Sequence, residues 1–112
     1  MDIRALDDQV SVGAQIAPED VAEIAAAGFK AIICNRPDAE HGPDQPSFAS
    51  VAAAAEAAGL KAYHIPFSGA EGPLPGQVEE VAKVVAETDG PVFMYCRSGT
   101  RSTGIYGLSR QI

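Results

Sequence analysis

The sequence predicts an α/β fold of three layers, α/β/α, with helices on both faces of a mostly parallel central sheet. Three observations carry that expectation. Helical and strand patterns alternate along all 112 residues, with no internal repeat or low-complexity tract. The runs Ala31–Cys34 and Val92–Tyr95 are almost wholly apolar, as suits strands covered on both faces. Helix-length segments separate the strands, and parallel neighbours need such crossovers. A chain of 112 residues is long enough for one core, so a single domain over residues 1–112 is expected.

The elements follow in order. Ile3 to Leu6 and Val10 to Val12 read as short strands around a turn at Asp7-Asp8. Ala17-Pro18-Glu19-Asp20 suits the first turn of a helix, because proline needs no amide partner there and acids complement the positive helix end. Val21, Ile24 and Ala25 continue it at helical spacing, and Gly28 stops it. After Ala31–Cys34, the stretch from Asn35 to Pro46 holds three prolines and a glycine and reads as a long loop, a class usually tied to function. Ser47 caps an alanine-rich helix that runs to Ala58, Gly59 ends it, and Lys61 to Ile65 form the next strand. Ser68 to Gly76 is a second long loop, rich in glycine and proline. From Gln77 to about Thr88, Val78, Val81, Val84 and Val85 draw one apolar stripe on a helix. Val92–Tyr95 follows, and a last helix is expected from near Ser102 to the chain end. If the strands run parallel, Cys34, His64 and Cys96 fall near their carboxyl ends, the edge where open α/β sheets bind ligands.

The chemistry concentrates in Tyr95-Cys96-Arg97-Ser98-Gly99-Thr100-Arg101-Ser102. At a strand-to-helix turn, successive backbone N–H groups and the positive helix terminus converge on one spot. A thiol placed there has its thiolate stabilised and becomes a nucleophile at neutral pH. Gly99 permits loop angles that other residues resist, and Arg101 offers a planar fork to an oxyanion. Arg97, Ser98, Thr100 and Ser102 complete a candidate anion-binding loop. The net charge of −7 argues against nucleic acid or an anionic membrane surface as a partner, so a local cationic pocket points to a small anionic substrate.

Other residues carry weaker signals. Arg36, at a strand end, is a candidate for the far end of an anionic substrate; a surface pair with Asp38 is the alternative. Cys34 reads as a buried core residue, with a resolving thiol as the alternative. His64 reads as structural. Two cysteines form no disulfide framework and no secretory or transmembrane run follows Met1, so a reducing cytoplasm is the expected compartment. Neither a Cys-x-x-Cys nor a His-x-x-x-His pair occurs, and no glycine-rich dinucleotide fingerprint opens a helix, so neither metal nor cofactor is expected.

The Cys96-to-Arg101 arrangement resembles the protein tyrosine and dual-specificity phosphatases, in which a strand ends in a nucleophilic cysteine and an arginine closes a phosphate-binding loop. The chain is more closely similar to the phosphatase-like domain of the beta-lactamase hydrolase-like proteins, a family also described as sulfur transferases. The stretches that carry this likeness are Ser11-Val12-Gly13-Ala14-Gln15-Ile16, Cys34-Asn35-Arg36-Pro37-Asp38, Ala57-Ala58-Gly59-Leu60, His64-Ile65-Pro66 and Cys96 through Ser102. The resemblance implies a cysteine nucleophile at Cys96, an oxyanion-binding Arg101, and a persulfide dioxygenase or metallohydrolase as a partner.

Three departures from the phosphatases stand out, and the first two set the expected reaction. Tyrosine phosphatases place five residues between cysteine and arginine; here Arg97, Ser98, Gly99 and Thr100 make four, the spacing of rhodanese-like sulfurtransferases. Dual-specificity phosphatases carry a proton-donating aspartate shortly after the proline that corresponds to Pro66, where this chain has Phe67, Ser68 and Gly69. A phenolate or alkoxide leaving group gains roughly a hundredfold from such an acid, whereas sulfite leaving thiosulfate needs none. Tyr95 stands where phosphatases usually have histidine. The expectation is therefore a sulfurtransferase working through a Cys96 persulfide, from thiosulfate or a persulfide to a thiol or cyanide. The alternatives are a phosphatase using a Cys96 phosphocysteine, with Glu71 or no acid, and a persulfide carrier or sensor without turnover.

Overall fold

The computed structural model describes residues 1–112. Its strands are β1 (Ile3–Ala5), β2 (Val10–Gly13), β3 (Ala31–Cys34), β4 (Lys61–His64) and β5 (Val92–Tyr95). Its helices are α1 (Val21–Ala26), α2 (Phe48–Ala57), α3 (Pro75–Glu87) and α4 (Thr100–Ser109). One sheet runs in the order β1-β2-β5-β3-β4, with β1 antiparallel to β2 and every other pairing parallel.

Side-chain alternation along the strands splits the core into two layers. Val92 and Met94 of β5, with Ala31 and Ile33 of β3, pack against Val81 and Val84 of α3 and Ile105 and Tyr106 of α4. Phe93 and Tyr95, with Ile32 and Cys34, face the other way, onto Val21 and Ile24 of α1 and Val51 and Ala55 of α2. The central strand β5 is buried along its whole length, which is why its sequence shows no polar alternation.

Three helical elements differ from the sequence expectation by two residues or more, and one of them shapes the site. Pro18–Asp20 form a separate turn of 3-10 helix, with Asp20 accepting the Ala17 N–H at 2.8 Å, and α1 proper is only six residues long. Helix α3 begins at Pro75, two residues before Gln77, because Gln77 reaches back to accept the Leu74 N–H at 2.9 Å. Helix α4 begins at Thr100 instead of Ser102, and stops at Ser109 short of the chain end. Gly99 supplies its N-terminal cap through a left-handed conformation, φ +93°, and its carbonyl accepts both the N–H and the hydroxyl of Thr103. Arg101 and Ser102 are thereby placed inside the first helical turn, where amides lack partners within the helix.

Candidate active site

Cys96 follows directly on β5, at the carboxyl edge of the sheet, beneath the exposed residues Arg97, Ser98 and Thr100. The Gly99 N–H donates to its Sγ at 3.0 Å. Burial alone would push the Cys96 thiol up, but the amides of Ser102, Ser98, Gly99 and Arg101 turn toward the sulfur and bring it below the ordinary thiol value. The loop is held from outside by the Gln15 N–H, which donates to the Arg97 carbonyl at 3.2 Å.

Arg101 stands at the lip of this ring, close enough to Cys96 for the two to interact. Its Nη1 and Nη2 grip the Glu40 carboxylate at 2.7 and 2.8 Å, and Nη1 also donates to the Phe67 carbonyl at 3.0 Å. Two guanidiniums share Glu40, since Arg36 Nε donates to it at 2.9 Å. That company, Arg101 foremost, lowers the Glu40 carboxyl to about 2.

Two expected roles are corrected by the geometry. Arg36 does not open onto a substrate, nor does it pair with Asp38. It is 6% exposed, and its three guanidinium nitrogens are committed to Glu40, Gln15 Oε1 at 3.0 Å and His41 Nδ1 at 2.9 Å. Asp38 instead accepts the Phe48 N–H at the start of α2. Ser102 faces the sulfur only through its amide. Its fully buried hydroxyl donates to Asn35 Oδ1 at 2.8 Å, and Asn35 Nδ2 passes the link to the Ile65 carbonyl at 3.0 Å.

The remaining candidates sort cleanly. Ser98 and Thr100 hydroxyls lie 3.2 Å apart on the exposed rim. Cys34 points into the α1–α2 layer, donates to the Arg36 carbonyl at 3.4 Å, and has its thiol pushed up by burial, which makes it a poor nucleophile. Tyr95 lies in the same layer and so takes no part beside Cys96; its buried hydroxyl has no hydrogen-bond partner, and its polar neighbour is the weakly bonding Cys34 thiol. His64 stacks on Phe48 with ring centroids 4.6 Å apart, and its Nε2 donates to the Arg36 carbonyl at 3.0 Å. That is a structural histidine. No three His, Cys, Asp or Glu side chains cluster where they could hold a metal ion, and no helix is long and apolar enough to cross a membrane.

Sequence reasoning missed Glu40 and Asn35. Asp38, Glu40 and Asp44 share an aperiodic loop, so nothing in the string singles out Glu40. Arg4 sits on the edge strand β1, and its Nη2 lies 2.8 Å from where a Cβ on Gly99 would stand. Two cavities, of about 370 and 320 Å³, are lined by residues such as Asp7 and Tyr106, and Lys30 and Lys61, at the amino ends of the strands. Neither is lined by a cysteine. A smaller cavity of about 250 Å³, lined by Phe67, Ser68, Glu71, Leu74 and Gln77 among others, shares Phe67 with the Arg101 contact.

A strand, a cysteine ringed by amides and an arginine in the next helical turn now define the site in space. The model of the beta-lactamase hydrolase-like protein, phosphatase-like domain matches residues 2–112. The chain belongs to this family. A beta-lactamase hydrolase-like protein of Agrobacterium fabrum is 34% identical over 107 residues, which cover 96% of this chain and 24% of that protein. The chain thus spans about a quarter of the length of the curated family members it matches. Among solved structures, a candidate phosphatase of Neisseria meningitidis is 34% identical with a TM-score of 0.85, covering 98% of this chain and 77% of its own. The core catalytic domain of a PP-IP phosphatase from S. cerevisiae, at 16% identity and a TM-score of 0.72, covers 97% of this chain and 64% of its own and shares the fold. The chain therefore has a phosphatase-like fold.

Proposed function

We propose that this chain is a cysteine-dependent phosphatase-like hydrolase that acts on a small phosphate monoester through a Cys96 phosphocysteine. The observation that carries the reading is Cys96 at the end of β5 with the Gly99 N–H donating to its sulfur at 3.0 Å and Arg101 in the first turn of the helix that follows. The thiolate attacks phosphorus, the P–O bond breaks, and its electron pair leaves on the departing oxygen, which takes a proton from solvent or from Glu71. Water then cleaves the S–P bond, releasing inorganic phosphate and restoring the thiolate. Amides and guanidinium hold the equatorial oxygens while charge builds on them. The 250 Å³ cavity beside Phe67 is the place for the leaving group.

Sulfur transfer is the second reading, and specific residues favour it. Only four residues separate Cys96 from Arg101, and Phe67, Ser68 and Gly69 follow Pro66 where an acid would serve a phosphatase. In that reaction the thiolate attacks the outer sulfur of thiosulfate, the S–S bond breaks and sulfite departs. The persulfide then passes its outer sulfur to cyanide or a thiol, and a persulfide dioxygenase or metallohydrolase would be the partner. One preparation assayed with 4-nitrophenyl phosphate and with thiosulfate plus cyanide separates the two. A faster phosphate rate supports the first reading and a faster thiocyanate rate the second. A stable Cys96 persulfide in the mass spectrum, without turnover of either, makes the chain a carrier. Cys96→Ser is expected to abolish every one of these activities, and undiminished turnover in that variant refutes them together.

A further inference from the structure

Arg101 has five N–H donors, and the structure accounts for three of them. Nη1 spends both hydrogens, on Glu40 Oε2 at 2.7 Å and the Phe67 carbonyl at 3.0 Å, and Nη2 spends one on Glu40 Oε1 at 2.8 Å. The two that remain, Nε–H and the second Nη2–H, form the adjacent parallel pair that grips an oxyanion side-on. Glu40 itself is fixed. Its Oε1 also accepts from Arg36 Nε at 2.9 Å, and its backbone N–H donates to Gln45 Oε1 at 3.0 Å. Arg36 is anchored in turn by Gln15 and His41, and Gln45 by the Pro37 carbonyl at 2.8 Å.

We infer that Glu40, locked by Arg36, is the positioning residue that aims the free Nε/Nη2 fork of Arg101 at the oxyanion bound over Cys96. The inference rests on the anion-binding site of the proposed function and holds for a phosphate or a sulfite. Without Glu40 the guanidinium keeps its charge but loses its orientation, and misplacing such a group by about 1 Å costs up to a hundredfold in rate. Glutamine at position 40 offers one oxygen to two guanidiniums and turns an N–H₂ toward one of them, so the grip fails at nearly constant shape.

The test is independent of turnover. Inorganic phosphate is titrated against iodoacetamide labelling of Cys96 in the wild type, Glu40→Gln, Arg101→Ala and the double variant, with thermal melts to establish folding. Half-protection in Glu40→Gln is expected at about tenfold more phosphate than in the wild type, with the unprotected labelling rate within twofold, since amides hold the thiolate. In the Arg101→Ala background the same change is expected to add less than twofold, because Glu40 acts through Arg101. Should Glu40→Gln fail to fold, Glu40→Asp is read in the same cycle; its carboxylate, set back by one methylene, reaches Arg101 less closely and gives an intermediate value. Wild-type protection in Glu40→Gln overturns the inference. So does tighter phosphate binding, which would make Glu40 a competitor for Arg101, or a full tenfold loss on top of Arg101→Ala. Failure of phosphate to protect even the wild type also overturns it. Absence of turnover with protection intact counts only against the proposed function.

Discussion

The ring of amides around Cys96 is open to a direct perturbation at Gly99. Replacing it by alanine demands φ near +93° of a residue with a Cβ, which costs on the order of 1 to 2 kcal/mol. The added carbon would stand 2.8 Å from Arg4 Nη2 and 3.4 Å from the Gly13 carbonyl oxygen. Arg4 is the tip of an exposed side chain and swings aside, and 3.4 Å is ordinary contact, so backbone strain dominates. The cheapest relief is rotation of the Gly99 backbone, which carries its N–H off the Cys96 sulfur, now 3.0 Å away. One charge-assisted hydrogen bond is worth about 1.5 kcal/mol at the low end, or roughly tenfold in thiolate population. Gly99→Ala is therefore expected to slow iodoacetamide labelling of Cys96 about tenfold at pH 7 and to raise the inflection of its pH profile. The melting temperature should fall by roughly 5 °C or more, given the scale for a domain of this size. Arg4→Ala alone should leave both readings near wild type, which isolates strain from contact. If Gly99→Ala folds with the expected loss of stability but labels at the wild-type rate, the amide does not sustain the thiolate and the reasoning fails.

Other predictions probe different links. Iodoacetamide at pH 7 should modify Cys96 at least about tenfold faster than Cys34, whose thiol is raised by burial, and the two should converge in denaturant; peptide mass mapping reads the ratio. Glu40, lowered to about 2 from an ordinary 4.5, contributes stability that is complete above pH 4.5 and is lost as pH falls toward 2. After solvent screening this amounts to about 1 to 2 kcal/mol. The gap in urea midpoint between wild type and Glu40→Gln should accordingly close between pH 5 and pH 2.5, and a constant gap excludes the ion pairs as its source. At the opposite edge of the sheet, the Tyr106 hydroxyl and Arg110 Nη1 both donate to Asp7 Oδ2, tying the end of α4 to the turn between β1 and β2. Tyr106→Phe should cost about 1 kcal/mol in urea unfolding and leave Cys96 labelling unchanged, and an altered labelling rate would show coupling across α4.

Local pattern fixed most elements to within a residue or two because each has a short-range cause. Ser47 caps α2 by accepting the Ser50 N–H, and the both-face burial of β3 and β5 demands the apolar runs seen in the string. The start of α4 escaped that logic. Ser102 has the side chain of a cap, but Gly99 takes the role by backbone conformation, and the Ser102 hydroxyl is drawn into the core by Asn35. Arg36 illustrates the same limit. Its place at a strand end pointed to the rim, yet a partner four residues on and another at Gln15 pull it beneath the rim instead.

The sequence by itself determined the layered α/β class, the place of Cys96 at the end of a buried strand, the arginine that accompanies it and the amide-rich turn between them, since all of these follow from residue type and spacing within one strand-turn-helix. Tertiary structure alone decided which acid meets Arg101. Glu40 lies 61 residues away in the chain, in a loop without period, and reaches Arg101 only because β3 and β5 are neighbours in the sheet. Strand order is a property of the closed core, formed by packing on two faces at once, and no local pattern carries it.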